Sequence, residues 1–229
     1  MAWILQLETS SKNCSVALSH QGKTLHSLEE AHEHYSHSTD LHPLLQQLIQ
    51  QAPIELSDLD AIAVGKGPGS YTGLRIGVST AKGLAYALDI PLIGINSLTL
   101  LSQGVHVADP GYLIPMVDAR RLEVYTAVFG QQGEVIRETQ ALILEQSTTF
   151  LDLNPELPHY FFGDGASKSK DLLVHENFHF LEQPLFPSAS QMSLLAFCAF
   201  QDKTFESVAY FEPFYLKEFI TTPPKKKTS

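Results

Sequence analysis

The chain is short of cysteine, of positive charge and of long apolar runs, and each shortage removes a class of protein. Cys14 and Cys198 are its two cysteines, far apart and outside any CxxC spacing, so neither a disulfide framework nor a zinc ribbon is encoded. That usage fits a reducing compartment, and the expected location is cytoplasmic. No apolar run approaches the ~20 residues of a membrane span, and Met1-Ala2-Trp3-Ile4-Leu5-Gln6 lacks the basic start of a leader. Lys and Arg number 15 against 25 Asp and Glu, for a net charge of −10. A surface of that sign repels phosphates unless its cations cluster, so strong direct nucleic-acid binding is not expected. The run Lys225-Lys226-Lys227 reads as a solvated tail.

What is present is an ordinary globular composition, 44% apolar and 17% charged over 229 residues, enough for one large or two small domains. Short β-prone runs at Trp3–Leu7, Cys14–Ser19 and Thr24–Leu28 form a meander, turning at Gln21-Gly22-Lys23. From Thr39 to Ala52, Leu41, Leu44, Leu45, Leu48 and Ile49 follow helical spacing. A strand over Asp60–Val64, a glycine-rich loop over Lys66–Tyr71, a helix over Thr72–Leu88 and a strand over Pro91–Ile95 complete a βββαβαβ unit. The opening meander then recurs at Tyr112–Val117, Val124–Phe129 and Glu134–Ile136. Ile4–Glu8 answers Ile114–Asp118, and Gln21-Gly22-Lys23 answers Gln132-Gly133-Glu134 with a one-residue slip. Helices are expected near Thr148–Leu153, over Ala166–Val174 and over Ser188–Phe200, with a strand at Tyr160–Phe162 and a turn at Gly163-Asp164-Gly165. The repeat gives two α/β units, divided here as residues 1–105 and 106–218 with a tail at 219–229.

Gly67 and Gly69 flank Pro68 where a buried strand must turn sharply into a helix, and Ser70 or Thr72 would cap that helix. Its first amides could hold an anion. The segment has neither the Gly-Lys-Ser/Thr ending of a P-loop nor a dinucleotide fingerprint, and positioning the helix is the plainer use of the elbow. Further on, Gly73, Gly77, Ala81 and Ala85 recur every fourth residue. The resulting bare face suits close helix packing, inside the lobe or against a partner.

Residues 67–77, Gly-Pro-Gly-Ser-Tyr-Thr-Gly-Leu-Arg-Ile-Gly, resemble the signature of the TsaB family. So do Glu8-Thr9-Ser10-Ser11, Pro91-Leu92-Ile93-Gly94, Val117-Asp118-Ala119-Arg120-Arg121-Leu122-Glu123-Val124-Tyr125, Gly163-Asp164-Gly165-Ala166 and Pro213-Phe214-Tyr215-Leu216. The resemblance implies tandem ribonuclease-H-like lobes of the actin, sugar kinase and Hsp70 (ASKHA) class, the second lobe reduced. It also implies a non-catalytic role in forming threonylcarbamoyladenosine beside the tRNA anticodon. TsaD, the larger paralogue, performs the transfer as heterodimer partner, and the ATPase TsaE joins them. The family dimerises through first-lobe helices, which favours Leu41, Leu45, Leu48, Gly73, Leu74, Gly77, Val78, Ala81 and Ala85 as the contact surface, with self-association through the same face when TsaD is absent. No direct strong tRNA binding is implied.

Chemistry on this chain alone finds little support. Catalytic paralogues carry a metal-binding His-xxx-His pair after the Pro-Leu-Ile-Gly strand, at places that fall here near Ser97 and Leu101, a hydroxyl and an aliphatic group. No metal and no cofactor are expected, apart from a nucleotide at the partner interface. Glu8, Gly67, Gly69, Ser70, Asp118, Gly163, Asp164 and Gly165 are where the class places its nucleotide cleft, read here as vestigial. His32, His34, His37 and His42 are irregularly spaced and read as surface histidines rather than ligands. No Gly-x-Ser-x-Gly elbow exists for a serine hydrolase. A stand-alone actin-like ATP-dependent enzyme using Glu8 and Asp118, or a homodimeric binding module, are the competing readings.

Overall fold

Alternation along the first strand decides which helix covers which face of the first sheet. In the computed structural model, which describes residues 2–32, 37–144, 150–183 and 186–217, β1 spans Trp3–Glu8. Its Leu5 and Leu7 join one core with β2 (Asn13–His20), α1 (His37–Gln51) and α2 (Tyr71–Leu88). Ile4 faces the other way, into a core with Leu100, Met192 and Ala196. Successive side chains of a strand point to opposite faces, so Gln6 and Glu8 share the face of Ile4.

Sheet order in the first lobe is β3-β2-β1-β4-β5, with β3 at Lys23–Ala31, β4 at Ala61–Gly67 and β5 at Leu92–Asn96. In the second lobe it is β8-β7-β6-β9-β10, from β6 (Tyr112–Asp118), β7 (Glu123–Phe129), β8 (Val135–Ile143), β9 (His159–Phe162) and β10 (Phe178–Phe180). Each sheet is an antiparallel meander whose first strand is followed by two parallel strands. The duplication read from the sequence is therefore a duplication of topology, and the fold is of the ASKHA class. Both meanders turn through a glycine at positive φ, Gly22 at 77° and Gly133 at 86°.

Between the lobes lies α3 (Ser97–Gln103). Its Leu100 packs on the first sheet, while Leu98 and Leu101 pack against Leu113, Val117 and Phe162 of the second. Asn96 starts it by accepting the amides of Leu98 and Thr99. The chain then returns: α4 (Ser193–Gln201) buries Ala196 against the first sheet, and residues beyond it add the bridge Leu92↔Glu206 to that sheet. The C-terminal helix thus covers the first sheet, although it follows the second lobe in sequence.

The second lobe is more reduced than its sequence suggests. Ala166–Val174 is not an α-helix; its only helical piece is a 3₁₀ turn at Ser167–Ser169 followed by turns. Within it Ser169 spends its hydroxyl on the Gly165 carbonyl, 3.0 Å, and Ser and Asp favour such turns over helix. The expected helix at Thr148–Leu153 lies partly outside the described residues, and Leu151 and Asp152 form a turn.

Candidate functional site

Where the class would expose a carboxylate to its ligand, this chain buries one. Glu8 is 0% exposed. Its Oε1 accepts the Ser10 amide at 2.6 Å and its Oε2 accepts the Ser97 hydroxyl at 3.1 Å. Gly65 of β4 lies directly across, and a Cβ there would come closer than 3.0 Å to Oε2. Burial pushes the Glu8 carboxyl above its ordinary value, against the pull of these hydrogen bonds. Buried and bonded in this way, the group is enclosed by its own chain rather than open to solvent. Of the two places where paralogues hold a metal, Ser97 is buried and bonded to Glu8, and Leu101 is 0% exposed and packed beside Gly163.

The glycine-rich elbow is closed in the same way. Gly67 takes φ 98°, and a Cβ on it would crowd Leu74. Gly69 sits against the Ser10 carbonyl, which accepts the Ser70 amide at 2.6 Å. Ser70 is the cap of α2, its hydroxyl accepting the Gly73 amide at 3.3 Å. In the second lobe Gly163 and Gly165 pack on Met116 and Val117, and the Gly165 amide donates to the Met116 carbonyl at 2.9 Å. Asp164 Oδ1 accepts the Asp118 amide at 2.9 Å, and burial pushes its carboxyl up to about 6. Asp118 is paired with Lys168 at 2.5 Å and accepts the Arg120 amide at 2.8 Å. Glu8 thus belongs to a buried first-lobe network, and Asp118 with Asp164 to a second-lobe turn. Among the described residues no hydrogen bond joins the two groups.

The small-residue face of α2 turns inward in the single chain. Gly73, Leu74, Gly77, Val78, Ala81 and Ala85 are all buried. Gly73 and Gly77 lie against Thr9, whose hydroxyl donates to the Gly73 carbonyl at 2.8 Å. Leu41 and Leu48 are 0% exposed in the same core. Of the nine residues expected at the contact, Leu45 alone keeps a partly open side chain.

Beside that core stripe, the two helices leave an apolar groove of about 520 Å³ lined by Leu45, Ile49, Leu56, Thr80, Gly83 and Leu84. Its polar lining comes from the uncharged Gln46 and Gln50 and from His42. A Cβ on Gly83 would meet nothing within 4 Å. Sequence reasoning missed Gly83, Thr80 and Leu84. The signal was the second pair on α1, Leu45 and Ile49, four residues apart and at the edge of the face that buries Leu41, Leu44 and Leu48.

The histidines do not converge. His37 is buried, with Nε2 2.7 Å from the Ser11 carbonyl, and burial lowers its pKa. His42 borders the groove, and His34 lies outside the described residues. His32 Nε2 stands 3.1 Å from Glu30 and 3.5 Å from Asp40. Glu30, His32 and Asp40 form the one group of three donors within 4.8 Å of one another among the described residues, and two of the three are exposed.

Comparison with known proteins closes the question of kinship. The family described as "TsaD: tRNA N6-adenosine threonylcarbamoyltransferase" matches residues 29–225. The Haemophilus influenzae protein named tRNA threonylcarbamoyladenosine biosynthesis protein TsaB is 36% identical over 59% of this chain and 54% of its own length. The Bacillus subtilis protein of the same name is 32% identical over 74% of each chain. The solved structure of YeaZ from Pseudomonas aeruginosa superposes with a TM-score of 0.80 at 28% identity, covering 94% of this chain and 100% of that one. Buried Glu8, the glycine elbow and the duplicated sheets are thus features of a chain that belongs to the TsaB (YeaZ) family, within the wider TsaD-like group.

Proposed function

We propose that this chain is the non-catalytic subunit that binds and stabilises TsaD in the complex adding threonylcarbamoyl to N6 of the adenosine next to the tRNA anticodon, with TsaE as third component. The relatives' printed names support the pathway. The observation that carries the non-catalytic part is Glu8, buried to 0% exposure and bonded to Ser10 and Ser97. A carboxylate must be reachable to position a metal or phosphates, and this one is closed off from solvent.

The groove between α1 and α2 is the docking site for TsaD in this reading. It is apolar, uncharged and open beside Gly83, which suits a helix laid against it. A second copy of the chain occupies the same groove when TsaD is absent, which accounts for the homodimeric alternative without a second surface.

The test mixes the chain with TsaD, measures complex formation by titration calorimetry, and assays threonylcarbamoyl transfer to tRNA with each component left out in turn. Transfer should require both proteins. Transfer or ATP hydrolysis by this chain alone refutes the proposal and restores the enzyme reading.

A further inference from the structure

The hairpin tip between β6 and β7 breaks a local rule. The turn is closed by the Ala119 amide on the Glu123 carbonyl at 3.0 Å and the Glu123 amide on the Arg120 carbonyl at 3.2 Å. Arg120 and Arg121 stand in it at φ 69° and 52°. Tips of this kind favour Gly, Asn or Asp, because a longer side chain in the left-handed region crowds its own backbone. Two consecutive arginines there are a costly choice, and such choices gather at functional sites.

Their charges are unspent as well. Asp118 and Glu123 flank the tip, and either could have neutralised an arginine. Asp118 is instead held by Lys168, and Glu123 by Lys217. Lys168 also donates to the carbonyls of Arg121 and Glu123, at 2.9 and 2.6 Å, which fixes the turn from below. Both arginines are exposed, and among the described residues neither is in an ion pair. Tyr125 lies alongside: burial and then Glu123 push its hydroxyl up, Arg120 pulls it down, and Lys217 sits 5.8 Å over its ring. In a protein of net charge −10, two lysines take the flanking carboxylates, and among the described residues the two guanidiniums stay out of ion pairs.

We propose that the Arg120–Arg121 tip, held open by Lys168 and Lys217, contacts the phosphate backbone of the RNA on which the assembled complex acts. The guanidinium fork matches two phosphate oxygens, and the half-buried Tyr125 ring beside it gives an unstacked base a face. The inference rests on the tRNA-modification reading above. It concerns a contact made within the complex, so it does not require the isolated chain to bind tRNA strongly.

The experiment uses the complex of this chain with TsaD and TsaE and a transcribed tRNA bearing adenosine next to the anticodon. It compares wild type, R120A/R121A, R120K/R121K and the charge-matched control K23A/K203A, whose lysines are exposed elsewhere on the surface. Expected for R120A/R121A are a KM for tRNA about tenfold higher near 0.15 M salt, an unchanged kcat, and a log–log salt slope shallower by roughly two. R120K/R121K should recover part of the KM, and the control should stay within about twofold of wild type. A KM and slope equal to the control's overturn the proposal. So does loss of pairing with TsaD or TsaE at unchanged tRNA affinity, which would assign the tip to an acidic protein surface. Absence of transfer by the wild-type mixture appears before any variant is made, and it removes the pathway reading and this inference together.

Discussion

Two glycines six residues apart on α2 should respond in opposite ways to the same added methyl group. Gly77 is buried against Thr9, and a Cβ there would come closer than 3.0 Å to the Thr9 hydroxyl oxygen. That hydroxyl donates to the Gly73 carbonyl at 2.8 Å, so Gly77→Ala must displace it. The helix gains about 1 kcal/mol from losing a glycine. Against this stand overpacking of about 1–3 kcal/mol and disruption of a buried hydrogen bond, about 1–3 kcal/mol more. The net is destabilising, and at about 2–4 °C per kcal/mol for a chain of this size the melting temperature should fall by roughly 5–10 °C. Gly83→Ala meets nothing within 4 Å and keeps the propensity gain, so it should melt about 2–4 °C higher. Gly83→Arg then brings a charge into the groove of about 520 Å³ without touching the core. It should fold normally and bind TsaD at least tenfold more weakly, about 1.4 kcal/mol. Thermal melts and calorimetric titration with TsaD read both effects. The reasoning fails if Gly77→Ala melts like wild type while losing TsaD, or if Gly83→Arg binds TsaD as wild type does.

The pKa of Glu8 is raised by burial, so its contribution to stability is full below the unfolded value near 4.5 and is lost as pH rises through the folded value. Glu8→Gln should therefore melt at or above wild type at pH 8, and the complex containing it should retain transfer activity; loss of activity at normal stability would restore a catalytic Glu8. His159 behaves in the opposite sense: burial lowers its pKa below 6.5, so stability is full above pH 6.5 and falls as pH drops. His159→Phe, which keeps a ring among Tyr112 and Phe178 but loses the contact of Nδ1 with the Leu157 carbonyl at 2.8 Å, should flatten the pH dependence of the melting temperature between about pH 7 and 5; an unchanged slope would reassign that dependence to other groups. Lys168→Met removes the two bonds to the carbonyls of Arg121 and Glu123 and should speed tryptic cleavage after Arg120 and Arg121, with equal cleavage rates showing that the tip does not need its lysine.

Much of the fold was legible because periodicity carries it. The two meanders, the turns at Gly22 and Gly133 and the helices α1 and α2 follow from alternation, turn residues and helical spacing that no tertiary contact contradicts. The return of α4 to the first sheet was not legible. Ser193-Leu194-Leu195-Ala196-Phe197-Cys198-Ala199-Phe200 is apolar all round, so its pattern names no preferred face and no preferred sheet. Nor was the failure of a helix over Ala166–Val174, where turns anchored by Ser169 and the Gly165 carbonyl win over a weak helical propensity.

The candidate site divides along a similar line. The identity of Glu8, the elbow and the missing metal ligands could be read from residue types, but whether Glu8 is a ligand or a plug depends on Gly65, 57 residues away in the chain and unremarkable by itself. The stripe Gly73, Gly77, Ala81, Ala85 states that something approaches α2 closely; helical spacing does not state what. Thr9 answers that demand at Gly73 and Gly77, so the close approach is made within the chain. A glycine points to a partner only where nothing in its own chain fills the space it leaves, and of the three glycines within α2, Gly83 is the one with open space in front of it.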